Sequence, residues 1–162
     1  MSRSIVNGHS SATEIRRVMN GKPATKPRVA FVCTHNACRS QMAEAIAHEI
    51  AGNIIDPCSA GTDPIAAVNT DALRTLRGLY GIDGAKLRPK TLSEIGPVDI
   101  VVTMGCGVRC PVLPCAHRED WGLADPTGLG ETAFEETAQA IERRVLDLAR
   151  RITYGDLTKA VQ

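Results

Sequence analysis

Aromatic residues are scarce in this chain: two Phe, two Tyr and one Trp among 162 residues. A core of stacked rings is thereby excluded, and Val, Ile, Leu and Ala must fill the interior. An excess of either charge is missing too. The formal net charge is +1, which argues against nucleic acid or an anionic membrane surface as a partner. No apolar run approaches the ~18 residues a membrane span requires. The N-terminus lacks the apolar segment of a secretory signal. The remaining composition, 43% hydrophobic and 23% charged, is that of an ordinary globule of one domain.

Cysteine, by contrast, is abundant, with six residues. In a small secreted chain six would suggest a disulfide framework. Here there is no export signal, and the chain can build a core without staples. The expected setting is cytoplasmic, where cysteines are more often catalytic, redox-active or metal-binding.

The chemistry concentrates between Val29 and Glu44. Val29 to Val32 is a short apolar run, read as the body of a buried strand from Arg28 to Cys33. Ser40 to Ala51 reads as a helix with Met42, Ile46 and Ile50 on one stripe. Cys33 therefore stands where a strand ends, and Arg39 where a helix begins. A helix N-terminus offers unpaired N–H groups to an anion. The Arg39 fork can hold two oxygens of a tetrahedral oxyanion. The same positive field favours thiolate over thiol at Cys33. These residues describe a nucleophile at the floor of an oxyanion cradle. The bland alternative is a buried cysteine beside a surface arginine, and a bare Cys-x5-Arg is a weak signal without its strand and helix.

Cys33-Thr-His-Asn-Ala-Cys-Arg-Ser40 resembles the phosphate loop of the low-molecular-weight tyrosine phosphatase superfamily. Gln41-Met42-Ala43-Glu44 is more similar to its arsenate reductase branch, since the phosphatases usually carry Pro after the Ser. Ser59-Ala-Gly-Thr62, the cysteines after Val101-Val102-Thr103, and Trp121-Gly122 leading to Asp125-Pro126 extend the resemblance over about residues 28 to 153. It implies an α/β fold: a small four-stranded parallel sheet with helices on both faces. It implies that Thr34, His35, Asn36, Ala37, Cys38, Arg39 and Ser40 bind the oxyanion around Cys33. Asn36, Glu44 and Ser59 match positions that steady the loop, in some relatives through a monovalent cation near Asn36. Glu44 read alone is equally a solvated helix face. Some relatives add an Asp to that cation site, and here the nearest residues are Ser93 and Glu94. No tightly bound cofactor is implied.

Along the rest of the chain, residues 1–26 form an extension with no family match, and 27–162 form the catalytic domain. Ser11-Ala-Thr-Glu14 has capping-box spacing, so a short helix to Met19 is expected. Asn53 to Ser59 reads as a second strand, placed at a sheet edge because Pro57 cannot donate to a ladder. Cys58 within it reads as a small buried apolar residue. Asn69 to Tyr80 reads as a helix with Val68, Ala72, Leu76 and Leu79 on its inner stripe and Gly81 as its stop. Lys86 to Pro97 is a loop or irregular helix, and Val98 to Thr103 a third strand. The last helix is expected from Thr132, capped by Glu135. Its core stripe is Phe134, Ala138, Ile141, Val145, Leu148 and Ile152, and it frays beyond Thr153.

A second cysteine cluster follows the third strand: Cys106, Cys110 and Cys115, among glycines and prolines that mark a loop. Cys106 and Cys110 suit a redox relay, provided the loop brings Cα atoms within roughly 4.4–6.8 Å. A zinc site using Cys106, Cys110, Cys115 and His117 is the rival, although the spacings are not those of zinc knuckles. Cys115 is a spare thiol or an alternative resolver. Asp125-Pro126 is by itself a turn; the resemblance makes Asp125 the general acid. Thr127-Gly128 follows where the phosphatases usually place tyrosines that clamp an aromatic substrate.

The expected activity is reduction of arsenate to arsenite: Cys33 attacks, Cys106 and Cys110 relay the electrons, and thioredoxin reduces the loop. Relatives served by a small thiol such as mycothiol often lack the Cys106–Cys110 pair. The rivals are a phosphatase acting on phosphomonoesters and a thiol or metal sensor.

Overall fold

A computed structural model describes residues 26–105 and 113–157. The expected helix over residues 11–19 lies outside the described residues, as do Cys106 and Cys110.

Four parallel strands form one sheet: β1 (Arg28–Cys33), β2 (Asp56–Gly61), β3 (Ile100–Thr103) and β4 (His117–Asp120), in the order β2-β1-β3-β4. Three α-helices follow in turn: α1 (Arg39–Ala51), α2 (Thr70–Tyr80) and α3 (Glu131–Tyr154). From β1 the chain crosses to one side to make β2, then returns to the other side to make β3. The carboxyl end of β1 is therefore the point where the sheet's direction of growth reverses, the usual ligand crevice of an open α/β sheet. The Cys33–Arg39 loop leaves the sheet there.

Strand alternation sorts β1 between two apolar layers. Val29, Phe31 and Cys33 face the helices, with Met42 and Ile46 of α1, Leu76 of α2, and Phe134, Ile141 and Leu148 of α3 in one cluster. Ala30 and Val32 face the other way, onto Cys58, Ala60, Val101, Ile95 and Val98. Among the described residues that second layer carries a 3-10 turn (Leu92–Glu94) and the segment after it, and no α-helix. Helices on both faces were expected; among the described residues the three α-helices share one face. The reason lies in the segment after residue 86, where prolines at 89 and 97 and Gly96 (φ 68°) interrupt any longer helix.

β2 is an edge strand, as Pro57 required. It starts at Asp56, later than expected, because Ile54 and Ile55 still donate to the Ala51 carbonyl and finish the turn after α1. β4 (His117-Arg-Glu-Asp120) closes the other edge. α2 is capped by Asn69, whose Oδ1 accepts from Asp71 and Ala72 N–H, and is closed by Gly81 at φ 64°. Its stripe ends on Tyr80 rather than Leu79: steps of four from Ala72 and Leu76 lead to 80, and Leu79 is exposed. Tyr80 donates its hydroxyl to Glu142 of α3. α3 begins at Glu131 after Gly130, without a side-chain cap, so the expected cap at Glu135 is not used. Its six-residue stripe is buried throughout.

Candidate active site

The loop from Cys33 to Arg39 is shaped by where its carbonyls go. Thr62, Asp63, Ile65 and Asn69 donate backbone N–H groups to the carbonyls of Cys33, Thr34, His35 and Ala37, at 3.2, 2.8, 3.2 and 2.8 Å. The Asn36 carbonyl accepts from Gln41 Nε2 at 3.0 Å. Because a trans peptide sets N–H opposite C=O, carbonyls held outward turn the loop's N–H groups towards its concave side. Helix α1 then starts at Arg39 without a side-chain cap, its first N–H groups aimed at the same hollow.

Two residues make so tight a ring possible. Asn36 takes a left-handed conformation (φ 48°), which Asn tolerates better than most residues. Gly61, at the end of β2, passes so close that a Cβ there would stand 2.7 Å from Thr34 O and 2.9 Å from Asn36 Cβ. This is why the strand must end in glycine.

Cys33 lies on the floor, 4% exposed, with its Sγ 2.8 Å from Ser40 Oγ. Asn36 Nδ2 donates to that same hydroxyl at 2.8 Å. Asn36 Oδ1 in turn accepts from Gln41 Nε2 (2.9 Å) and Lys90 N–H (2.8 Å), which settles the amide's orientation. With its oxygen already accepting, Ser40 has its own proton to give to the sulfur. Arg39, 6% exposed, spans the top of the hollow. Its Nη1 donates to Leu123 O at 2.7 Å and Met104 O at 3.3 Å, and its Nη2 stands 4.0 Å from Asp125 Oδ2.

Asp125 lies on the loop beyond β4 and is half exposed. Its Oδ1 accepts from Thr127 Oγ1 (2.7 Å) and Thr127 N–H (3.0 Å). Burial alone would raise its carboxyl, but the two Thr127 bonds and the Arg39 and His35 charges outweigh it and hold the group below the usual carboxylate range. Cys38 lies inside the loop but is a bystander: burial, helped by the charges of Asp125 and Cys33, pushes its thiol up to about 12. Cys58 is likewise inert, pushed up by burial to about 11.

Behind the loop, Ser59 Oγ donates to Glu44 Oε2 at 3.0 Å, and Lys90 Nζ stands 3.5 Å from the same oxygen. Glu44 is therefore no solvated helix face; its side chain is 13% exposed. Ser93 and Glu94 do not reach this region. Glu94 is spent on Thr91 and Arg88 at the surface. Three contributors went unread in the sequence: Gln41, Lys90 and Thr127. Only Gln41 left a signal, as the residue that stands where the phosphatases carry Pro.

Cys115 is far from this arrangement. It packs on the sheet's second layer, just before Ala116, whose N–H bonds the Asp99 carbonyl at the amino end of β3. Cys33 lies at the carboxyl edge, about four strand residues or ~13 Å away along the strands. His117 Nε2 donates to Glu119 Oε2 at 2.8 Å. Among the described residues no group of three His, Cys, Asp or Glu side chains could hold a metal ion, and no helix is long and apolar enough to cross a membrane.

The family model of low molecular weight phosphotyrosine protein phosphatases matches residues 28–156. The chain belongs to this family. Within it, the chain is 33% identical over 132 residues to arsenate reductase 1 of Staphylococcus epidermidis, covering 78% of this chain and 98% of the relative. Among solved structures, an arsenate reductase in a phosphate-binding state superposes with a TM-score of 0.71 at 30% identity, covering 78% of this chain and 98% of that one. A thioredoxin-dependent arsenate reductase of Corynebacterium glutamicum matches with a TM-score of 0.68 at 31% identity, over 91% of this chain and 72% of that one. The sequence likeness thus falls on the reductase side of the phosphatase family, while the fold is common to both sides.

Proposed function

We propose that this protein reduces arsenate to arsenite, with Cys33 as nucleophile. The observation that carries the reading is the Cys33 sulfur, 2.8 Å from the Ser40 hydroxyl, at the floor of a ring whose carbonyls are bonded outward and whose rim holds Arg39. N–H groups of residues 34–40 cradle the oxyanion, and Arg39 neutralises it. The Cys33 thiolate forms a bond to arsenic as one arsenate oxygen leaves; Asp125 protonates that oxygen, so water departs. Cys106 thiolate then attacks Cys33 Sγ. The S–S bond forms, the S–As bond breaks, and its electron pair stays on arsenic, which leaves as arsenite. Cys110 attacks the Cys106 sulfur and frees Cys33. A thioredoxin dithiol returns two electrons to the Cys106–Cys110 disulfide.

The chain order favours Cys106 over Cys115 as first attacker. Gly105, the last described residue before Cys106, follows the carboxyl end of β3, whereas Cys115 belongs to the opposite edge. Thioredoxin as reductant is supported by the Corynebacterium glutamicum relative's own dependence on it. We assign residues 27–162 to the catalytic unit, residues 1–26 to an extension, and the protein to the cytoplasm. No tightly bound cofactor is needed. A monovalent cation near Asn36 does not fit the residues present, because the oxygens that would receive it, Glu44 Oε2, Ser59 Oγ and Arg88 O, surround the Lys90 ammonium.

A phosphomonoesterase is the competing reading, since phosphate and arsenate share charge and shape and the cradle serves both. Asp125-Pro-Thr-Gly128 lacks the aromatic clamp that would select a phosphotyrosine. The test is NADPH oxidation with arsenate, thioredoxin and thioredoxin reductase, beside an aryl phosphate assay. Turnover that disappears in Cys33→Ser and Cys106→Ser, and stops after one equivalent of arsenite in Cys110→Ser, is expected. Aryl phosphate turnover without arsenate reduction would transfer the protein to the phosphatases.

A further inference from the structure

All three polar groups of Lys90, a residue with no part in the attack on the oxyanion, are bonded. Its N–H donates to Asn36 Oδ1 at 2.8 Å. Its carbonyl accepts from Gly61 N–H at 2.8 Å, fixing it to the outer edge of β2. Its ammonium faces three oxygens: Arg88 O at 3.0 Å, Ser59 Oγ at 3.4 Å and Glu44 Oε2 at 3.5 Å. An ammonium has three N–H donors, and here each has an oxygen within reach. The side chains of Lys90 and Glu44 are only 15% and 13% exposed. A carboxylate so enclosed needs a positive partner.

We propose that Lys90 is a positioning residue whose ammonium acts as a built-in monovalent cation for the Cys33 loop. The path to the nucleophile is continuous. Lys90 and Ser59 fix Glu44 at the side of α1, while the Lys90 backbone fixes Asn36 in its left-handed turn. Asn36 holds the Ser40 hydroxyl, and Ser40 holds Cys33 Sγ. A free alkali cation cannot enter, because the lysine fills both the space and the charge. The loop of this protein is therefore indifferent to potassium. Truncating the side chain vacates a hollow lined by one carboxylate, one hydroxyl and one carbonyl oxygen, which suits a weakly hydrated monovalent cation.

The inference rests on the Cys33 loop described above, but its test needs neither arsenate nor a reductant. Cys33 alkylation by iodoacetamide at pH 7, followed by peptide mapping, is measured in KCl and in choline chloride at equal ionic strength. Melting temperature is recorded in both salts. Wild type is expected to give the same rate within about twofold and the same melting temperature in either salt. Lys90→Ala is expected to lose about tenfold in alkylation rate in choline chloride, as a displaced loop costs the geometry of its nucleophile, and to recover most of it in KCl. Lys90→Met, which fills the space without the charge, stays slow in both salts and reports on the charge if Lys90→Ala folds only in KCl. A wild-type protein that needs potassium overturns the proposal. So does a Lys90→Ala protein that folds in choline chloride and ignores potassium, or a Lys90→Met protein that alkylates at the wild-type rate. Failure to turn over arsenate would sink the proposed activity while leaving these outcomes readable.

Discussion

The network behind the Cys33 loop and the network under β4 are built from the same parts and end differently. Each has an enclosed glutamate held by a cation and by further hydrogen-bond donors. Glu44 takes Lys90 and Ser59. Glu119 takes both ends of the Arg151 fork at 2.8 and 2.9 Å, His117 at 2.8 Å and Trp121 Nε1–H at 2.7 Å. Arg151 spends its Nε on Asp147 as well. The β4 network is closed, with both carboxylate oxygens of Glu119 bonded twice. The loop network runs on through Asn36 and Ser40 to a sulfur that faces an open cradle. A polar cluster that satisfies itself holds α3 to the edge strand. One that delivers its last donor to a nucleophile positions chemistry.

Breaking the closed network tests this difference most strongly. Arg151→Met leaves Glu119 enclosed without its cation, and we expect a loss of about 3 kcal/mol, read as a melting temperature lower by roughly 10 °C. Turnover per folded molecule should stay within twofold of wild type. A catalytic defect without a stability defect would contradict the division of labour. Acid reaches the same network. Burial alone would raise the Glu119 carboxyl, but hydrogen bonds from Arg151, His117 and Trp121 win and hold it at about 2, against an ordinary 4.5. A depressed folded value means that the network's contribution, on the order of 3 kcal/mol, is complete above about 4.5. It is lost as pH falls from there towards about 2. Arg151→Met should flatten that part of the stability–pH curve.

The open network is broken by a single methyl group. Gly61→Ala drives a Cβ against Thr34 O and Asn36 Cβ, neither of which can yield without moving the loop. We expect a stability loss of about 1–3 kcal/mol and a fall in kcat/KM of about a hundredfold, the reverse of the Arg151 pattern. Cys33 alkylation, which slows with it, separates a displaced loop from general unfolding.

Legibility followed the range of the interactions. β1, α1, α2 up to its Gly81 stop and the stripe of α3 were readable because apolar periodicity and a glycine stop are local. So was the edge position of β2, from Pro57 alone. β4 carried no such signal. His117-Arg-Glu-Asp120 has no apolar residue, since an edge strand whose side chains serve an ion-pair network needs none. The loop from Cys33 to Ser40 was readable as a motif, but Lys90 and Thr127 were not. Lys90 meets Asn36 across 54 residues of chain and Glu44 across 46, and nothing near it in sequence announces either contact. Thr127 reads as part of an Asp-Pro turn, and its hold on Asp125 depends on how that turn closes.

Thr127 offers the finest test of how the open network meets the reaction. A general acid must carry a proton, yet Asp125 is held below the usual carboxylate range in the substrate-free protein. Burial opposes that state, while Thr127 Oγ1–H, Thr127 N–H, Arg39 and His35 favour it; the Asp125 charge in turn helps burial push the Cys38 thiol up to about 12. Thr127→Val removes one charge-assisted donor while keeping the side chain's shape and the backbone N–H bond. Asp125 should rise towards its ordinary value. If Asp125 must be protonated for arsenate to lose its oxygen, the limb of the kcat/KM–pH profile that falls with rising pH should move to higher pH. Thermal stability should change little, because Thr127 is exposed. An unmoved limb would show that Asp125 does not supply the proton. In that case the 4.0 Å contact with Arg39 becomes its remaining role, steadying the guanidinium over the cradle.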